Sequence, residues 1–292
     1  MAIFEVKPYL FTHQSRYFST NSGILVDGAN AILIDPGMTP DEREEIRLFT
    51  TMRGLTVKTI LLTHSHWDHI LGVVDYLNVE VVTQSDFPVI LEEHLADTRR
   101  IIADWEREAG IRSVVWRAPK PTLSFDESMR MELDDMELQL ISATGHTSDQ
   151  FAIYIPQQKV LWVGDMLSDI EIPYVGYGLI AYQNTLQKLM ELEIETIIPG
   201  HGSLAVDEAS AHERFAQDAT YLEELRRLVE SAVRDGLSMP ETVQRCNRMP
   251  IKNPTINAEG HERNIETVYV ELGGKAEPGV FGWNREWSAA EK

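Results

Sequence analysis

The sequence predicts an α/β fold, and three observations predict it. Short runs rich in aliphatic and β-branched residues, such as Val57-Lys58-Thr59-Ile60-Leu61-Leu62-Thr63 and Thr196-Ile197-Ile198, read as buried strands. Charged stretches with helical spacing separate these runs. The order strand, acid, helix, strand, histidine occurs twice along the chain, a weak internal duplication of the kind that layers helices over sheets.

In the first copy, Ala31-Ile32-Leu33-Ile34 is a strand that ends at Asp35-Pro36-Gly37. A charged helix is expected from about Pro40 to Phe49, and the next strand, Val57 to Thr63, ends at His64. The region from about Asp86 to Pro121 departs from this pattern. It carries an amphipathic helix from Asp97 to Ala109, with Ile101, Ile102 and Trp105 on one face and Gly110 as its stop. Leu138-Gln139-Leu140-Ile141-Ser142 is a strand before the small-residue turn Thr144-Gly145-His146-Thr147. The second copy starts with the strand Lys159 to Val163, which leads into Gly164-Asp165. It continues with a helix from about Tyr182 to Leu192. The strand Thr196 to Ile198 closes it, before Pro199-Gly200-His201-Gly202, where glycines let the backbone turn tightly around an imidazole. Beyond that point, Val206 to Asp235 carries Phe215, Tyr221-Leu222, Leu225, Leu228-Val229 and Val233 at near-helical spacing, and Gly236 closes it. A last helix is expected from His261 to Leu272, ended by Gly273-Gly274.

The densest chemistry lies in His64-Ser65-His66-Trp67-Asp68-His69, directly after a strand. Imidazole nitrogens and carboxylate oxygens suit zinc and its borderline neighbours. His64 and His66, two apart, can point the same way and share one ion. Asp68 and His69 are adjacent and cannot both reach that ion comfortably, which suggests a second. Five of the nine histidines lie just past apolar strand-like segments, where open α/β sheets place ligands. His13, His94, His212 and His261 do not. The first three take a capping or surface role by default. His261 opens its helix, where a structural role is favoured over a polar contact to substrate.

These spacings resemble the metallo-β-lactamase fold superfamily. Its H-x-H-x-D-H motif is matched at His64, His66, Asp68 and His69, and its later signatures at His146, Gly164-Asp165 and Pro199-Gly200-His201-Gly202. The resemblance covers roughly residues 20 to 205. It implies a four-layer αββα sandwich as the catalytic domain, residues 1–205, with residues 206–292 a helical extension that packs on the core or lids the site. It also implies the ligand roles. His64, His66 and His146 would hold one divalent ion, Asp68, His69 and His201 a second, and Asp165 would bridge both. Zinc is the first expectation for the two ions, with iron or manganese as alternatives. Asp35 would be the counterpart of Asp165, in a turn-forming or ligand-orienting role. Antibiotic-hydrolysing members often place a cysteine among the second-site ligands. The single cysteine here, Cys246, matches no such position, so the resemblance points to the wider hydrolase branch and away from a true β-lactamase.

The implied reaction is attack by a metal-bound hydroxide on the carbonyl carbon of a small ester, lactone, thioester or related acyl substrate, since coordination can bring the pKa of a bound water to about 7. Asp68 is the expected catalytic residue, as ligand and as orienter or proton acceptor. The same apparatus can hydrolyse a phosphodiester. A mononuclear iron sulfur-dioxygenase on this scaffold keeps the histidine motif and is the redox alternative. Diiron oxygen reductases typically carry Glu where His66 stands and bring a flavin domain. A third reading is a non-catalytic regulatory protein that binds a metabolite. Glyoxalase II-like thioesterases usually carry a basic C-terminal patch for glutathione, and the acidic helix after Ser203 argues against that substrate. Trp67 in the metal loop, Tyr174 and Tyr177 in the Gly/Pro/aromatic loop after Asp165, and His261 are the candidate substrate contacts, with ordinary packing at least as common for the two tyrosines.

Charge narrows the partners. With 26 Lys+Arg against 46 Asp+Glu the formal net charge is −20, and the basic pairs Arg99-Arg100 and Arg226-Arg227 are interleaved with acids. A nucleic-acid binder gathers a basic face, so no nucleic acid is expected and the RNA-processing branch matches poorly. No secretory signal is visible in Met1 to Pro8, no segment approaches a membrane span, and one cysteine excludes an intrachain disulfide. The expectation is a cytoplasmic enzyme acting on a small molecule, with monomer and homodimer both left open.

Overall fold

The computed structural model of the chain describes residues 3–111, 116–133 and 136–275. Expectations that fall on Met1 and Ala2, on 112–115 within the 86–121 region, and on 276–292 of the C-terminal extension lie outside the described residues.

The first sheet has seven strands in chain order: β1 (Phe4–Lys7), β2 (Leu10–Gln14), β3 (Asn21–Asp27), β4 (Asn30–Ile34), β5 (Thr56–Leu61), β6 (Glu80–Gln84) and β7 (Leu123–Phe125). Strands β1 to β4 form an antiparallel meander, and β4 to β7 run parallel. Parallel neighbours need crossovers. Helix α1 (Pro40–Met52) joins β4 to β5, the short α2 (Trp67–Ile70) follows β5, and α3 (Phe87–Glu93) with α4 (Leu95–Glu108) follows β6. The second sheet has five strands: β8 (Ser128–Glu132), β9 (Glu137–Ser142), β10 (Phe151–Ile155), β11 (Val160–Trp162) and β12 (Thr196–Ile198). They are ordered β12-β11-β10-β9-β8, with only the β11–β12 pair parallel. Helix α5 (Leu179–Met190) makes the β11–β12 crossover, and α6 (Glu208–Arg234), α7 (Met239–Cys246) and α8 (Pro254–Glu271) complete the chain.

Side-chain alternation explains the four layers. In β4, Ile32 and Ile34 point at the second sheet, where they pack in one cluster with Leu61, Leu140, Phe151, Ile153 and Trp162. Leu33, between them, faces the other way with Ile46 of α1 and Ile60. The outer face of the second sheet is covered by α5 and by the C-terminal helices in a cluster that includes Leu161, Leu186, Phe215, Leu225, Val229 and Ile265. Each such buried aliphatic side chain contributes on the order of 1.5–3 kcal/mol. The repeated sequence pattern becomes two parallel strand pairs, β4–β5 with Ile34 opposite Leu61 and β11–β12 with Trp162 opposite Ile198. The acid of each copy, Asp35 or Asp165, and its histidine, His64 or His201, therefore leave neighbouring strands at the same end.

Two helix starts differ from the sequence expectation by more than two residues. Helix α5 begins at Leu179 and not near Tyr182, because the Glu271 carboxylate of α8 accepts from Leu179 N (2.6 Å) and Ile180 N (3.0 Å). The N-cap residue, Gly178, has no side chain to supply that cap, so the signal lies far away in sequence. Helix α8 begins at Pro254, nearly two turns before His261, with Asn253 in the left-handed conformation ahead of a proline at the first helical position. Among the described residues no helix is long and apolar enough to cross a membrane.

The C-terminal helices bury one carboxyl whose pH response can be read out. Asp218 of α6 is 1% exposed, and its Oδ2 accepts from Leu167 N at 3.0 Å. Burial pushes its pKa up from 3.8 to about 7, against the pull of Lys252. Between those values the folded carboxyl holds a proton that the unfolded one has released, so stability falls as pH rises, by up to about 1.4 kcal/mol per pH unit. Asp218→Asn keeps an acceptor for Leu167 and removes the titration. Melting curves should show that Tm of the variant declines less than wild type between pH 4 and 7. Parallel Tm-against-pH curves would contradict the assignment.

Candidate metal centre

The seven residues singled out in the sequence come together at the strand ends. Donor atoms of His64, His66, His146 and Asp165 lie within 4.8 Å of one another, as do those of Asp68, His69 and His201. Asp165 joins the two groups through separate oxygens. Its Oδ2 stands 3.3 Å from His64 Nε2, 3.3 Å from His146 Nε2 and 3.9 Å from His66 Nδ1. Its Oδ1 stands 3.1 Å from His69 Nε2 and 3.4 Å from His201 Nε2. Asp68 Oδ2 lies 3.2 Å from His201 Nε2 and 3.6 Å from His69 Nε2. These residues are spread along the chain from His64 to His201, and the backbone makes room for them. A Cβ on Gly200 would collide with Asp165 Oδ1, and Gly164, at φ 54°, lies against the Gln150 amide. Gln150 Oε1 in turn accepts from Asp165 N at 3.0 Å.

The outward nitrogens of four imidazoles are fixed by acceptors. His146 Nδ1 is 3.1 Å from the Tyr174 carbonyl, and His201 Nδ1 is 2.9 Å from that of Phe18. His69 Nδ1 is 2.9 Å from Asp35 Oδ2. Thr63 Oγ1 donates to Asp35 Oδ2 at 2.7 Å, which leaves it to accept from His64 Nδ1 at 3.1 Å. A carbonyl or carboxylate only accepts, so each of these nitrogens carries a proton and each Nε2 is the ring atom left facing inward, available to a cation once it is unprotonated. Asp35 takes the orienting role expected of it, at a left-handed turn (φ 44°) where its Oδ1 also accepts from Thr63 N at 2.9 Å.

A cation fits this donor set. His146 Nε2 and His66 Nδ1 face each other at 2.9 Å, and His69 Nε2 and His201 Nε2 at 3.3 Å. The second matches, and the first falls short of, about 3.3 Å, the edge of a tetrahedron whose metal–nitrogen bonds are about 2.0–2.1 Å. His64 Nε2 and Asp165 Oδ1 are buried without a hydrogen bond among the described residues, the condition that a coordinated ion relieves. In the metal-free protein, burial holds the His64 and His66 pKa values below the usual histidine value, with Asp165 opposing. For His69, burial works in that direction too, but the charges of Asp165 and Asp68 outweigh it and raise its pKa well above normal. His201 behaves alike, with Glu171 and Asp165 overcoming burial. Burial would raise the carboxyl pKa of Asp165, yet His69, His201 and His64 drive it well below the ordinary range. The site thus concentrates two carboxylates and five imidazoles, the composition that binds divalent transition metals.

The candidate substrate contacts divide. Trp67 stacks at 5.0 Å from Trp105 and 5.8 Å from Phe18, forming a wall beside the metal loop. Next to it a cleft of about 40 Å³ is lined by Ser65, His66 and Trp67 on one side and by Ile90, Leu91, His94 and Ile101 of the α3–α4 region on the other. Tyr174 is half-buried, with its ring 5.6 Å from His146, whereas Tyr177 is exposed. His261 does not open a helix. It sits inside α8, 2% exposed, with Nδ1 2.8 Å from the Tyr221 hydroxyl and Nε2 3.3 Å from the Cys246 carbonyl, so both ring nitrogens are engaged in helix packing. His13 is also interior and not a surface residue, 3.0 Å from Glu45 Oε2. His212 lies on α6, exposed. Sequence reasoning missed Glu171, whose carboxyl is raised by burial against the pull of His201, in the field of Asp165 and Asp68. It also missed Thr63 and Gln150, whose hydrogen bonds leave no local signature.

Known proteins extend the comparison. A curated relative, the beta-lactamase-like protein 2 homolog of Caenorhabditis elegans, is 27% identical over 186 residues, 63% of this chain and 56% of that protein. A hydroxyacylglutathione hydrolase of Prochlorococcus marinus (strain NATL1A) is 28% identical over 151 residues, 49% of this chain and 48% of that protein. The chain thus spans about half the length of these relatives. Among solved structures, the sec-alkylsulfatase Pisa1 of Pseudomonas sp. superposes with a TM-score of 0.77 over 95% of this chain and 51% of its own, at 18% identity. A metallo-beta-lactamase family protein of Thermus thermophilus gives 0.65 over 91% and 93%, at 20% identity. At these identities the structures speak for the fold alone. The family model described as the metallo-beta-lactamase superfamily matches residues 16–201, which span both donor groups and every strand from β3 to β12, and the chain belongs to that superfamily.

Proposed function

We propose that the protein is a dinuclear metal-dependent hydrolase of a small ester, lactone, thioester or related acyl substrate. The observation that carries this reading is Asp165, which presents one oxygen to each of two histidine-rich donor groups. His64, His66 and His146 would hold one ion, Asp68, His69 and His201 the other, with Asp165 between them. Two divalent ions, zinc foremost, would supply a hydroxide nucleophile at neutral pH and polarise the carbonyl oxygen.

The chain's own residues do the rest. His64 and His66 are held neutral by burial, the state in which an imidazole donates its lone pair. Asp35, Thr63 and the Phe18 and Tyr174 carbonyls lock the ring orientations, so little reorganisation accompanies binding. Asp68, as a carboxylate next to His201, orients the nucleophile and accepts its proton. Trp67, which walls the metal loop, and Tyr174, whose ring lies beside His146, are the side chains placed to meet the substrate. The relative named hydroxyacylglutathione hydrolase supports a thioester as the first bond to try, although the acidic helix after Ser203 offers no basic patch for glutathione.

The test is elemental analysis of the purified protein, followed by thioester, lactone, phosphoester and β-lactam substrates with oxygen uptake recorded in parallel. Two transition-metal ions per chain and turnover of an acyl substrate are expected. One iron with oxygen consumption would replace this reading by a dioxygenase. Bound metal with no turnover of any substrate would favour a metabolite-binding role.

A further inference from the structure

Every proposed metal ligand precedes residue 202, yet the C-terminal helix reaches the centre through one buried amide. Asn264 of α8 is fully buried. Its Oδ1 accepts from Val175 N at 2.7 Å, while its Nδ2 donates to the Pro173 carbonyl at 2.6 Å and to the Tyr221 hydroxyl at 2.8 Å. The orientation is determined by chemistry, since flipping the amide would set N–H against N–H and oxygen against oxygen. The Tyr221 hydroxyl donates to His261 Nδ1, and His261 Nε2 donates to the Cys246 carbonyl, so every member of this buried chain is satisfied.

Between Pro173 and Val175 lies Tyr174, and its carbonyl is the acceptor for His146 Nδ1 at 3.1 Å. The amide therefore clamps the peptide unit that carries this carbonyl, through Val175 N, and the unit before it, through the Pro173 carbonyl, and that carbonyl sets the His146 tautomer and ring angle. Arg263, the neighbouring residue on α8, interacts with the Tyr174 side chain, which holds the same residue from its other end. A second buried amide on this helix, Asn257, grips a different part of the loop through the Ile170 carbonyl (2.9 Å) and Ile172 N (3.4 Å).

We infer that Asn264 is a positioning residue for the metal centre: from a helix outside the family-matched segment it fixes the Tyr174 carbonyl, and through it the Nε2 lone pair of His146. The inference rests on the proposed dinuclear reading and assigns the C-terminal helices a part in metal binding beyond packing.

Removing an outer partner of a ligating histidine typically costs about 10- to 100-fold in metal affinity. The experiment is cobalt(II) titration of the metal-free protein, followed by visible absorption and by chelator competition, with His146→Ala identifying which binding step belongs to the His64/His66/His146 group. Asn264→Leu should weaken that step by about 10- to 100-fold and leave the other within about threefold. Asn257→Leu, a comparable loss of a buried amide on the same helix, should leave both steps within about threefold, which a general loosening of the fold would not do. If Asn264→Leu fails to fold, Tyr221→Phe provides the graded version, because it removes the partner of one Nδ2 proton and keeps the ring, and should weaken the same step about 3- to 10-fold. Unchanged affinity in a folded Asn264→Leu or in Tyr221→Phe, or equal weakening of both steps, would overturn the inference while leaving the dinuclear reading intact. A wild-type protein that takes up no cobalt would overturn that reading and this inference with it.

Discussion

Asp165→Ala is expected to leave less than one tightly held ion per chain and to reduce hydrolysis by well over the ~10- to 100-fold that loss of an outer-shell partner costs. The reason is that this carboxylate faces both donor groups, with Oδ2 toward His64 and His146 and Oδ1 toward His69 and His201. Without it two sets of imidazoles face one another with no shared anion, and four positive charges from two ions would meet only the single charge of Asp68. The electrostatics of the metal-free protein point the same way. Asp165 opposes the burial penalty on His64 and His66 and helps raise the pKa of His69 and His201, so it is electrostatically coupled to four of the other proposed ligands. Metal analysis after exhaustive dialysis, together with turnover of whichever acyl substrate the wild type accepts, reads both effects. A folded Asp165→Ala protein holding two ions and working within about tenfold of wild type would remove Asp165 from the centre, a residual activity far above that expected for a lost bridging ligand.

The seven candidate donors were legible in the sequence because they follow strands, and strand ends announce themselves by an apolar run that stops. His64 to His69 follow β5, Asp165 follows β11 and His201 follows β12. The repeated order of acid and histidine was legible as a weak internal duplication, and in the structure its two copies are parallel strand pairs presenting their ends together. What orients the ligands was largely illegible. The acceptors for His146 and His201 are main-chain carbonyls of Tyr174 and Phe18, and a carbonyl carries no residue identity. Asp35 was readable only as the counterpart of Asp165, because its partner His69 lies 34 positions away and the pairing depends on the β4–β5 register. The helix starts failed for a related reason. The cap of α5 comes from Glu271, and the true start of α8, Asn253-Pro254, carries few of the apolar residues by which a packed helix face is recognised. His261 was misplaced as a consequence, since a histidine taken to open a helix suggests a reachable surface group, whereas one in the middle of α8 meets Tyr221 and Cys246.

Asp68→Ala should cost about 10²- to 10⁴-fold in kcat, the range for loss of a positioned proton acceptor, and should weaken the ion of its own group more than the other. The asymmetry follows from the geometry. Asp68 Oδ2 lies 3.2 Å from His201 Nε2 and 3.6 Å from His69 Nε2, while the first donor group is assembled around Asp165. Burial disfavours the Asp68 carboxylate, but His69 and His201 pull its pKa below the ordinary range, so it is ionised throughout the pH range in which such an enzyme works. An ionised carboxylate in that position can act as ligand, as orienter of the nucleophile and as acceptor of its proton, and two substitutions separate these roles. Alanine removes all three. The substitution Asp68→Asn keeps an oxygen donor on a side chain of similar size and loses only the negative charge and the capacity to take a proton. Two ions retained with a large loss of kcat in Asp68→Asn would assign the proton to Asp68, whereas loss of one ion in both variants would assign it chiefly to coordination. Near-normal kcat in both folded variants, measured on the same acyl substrate, would leave the proton with another group, and Glu171, which shares the field of Asp165 and Asp68, is the carboxylate to replace next.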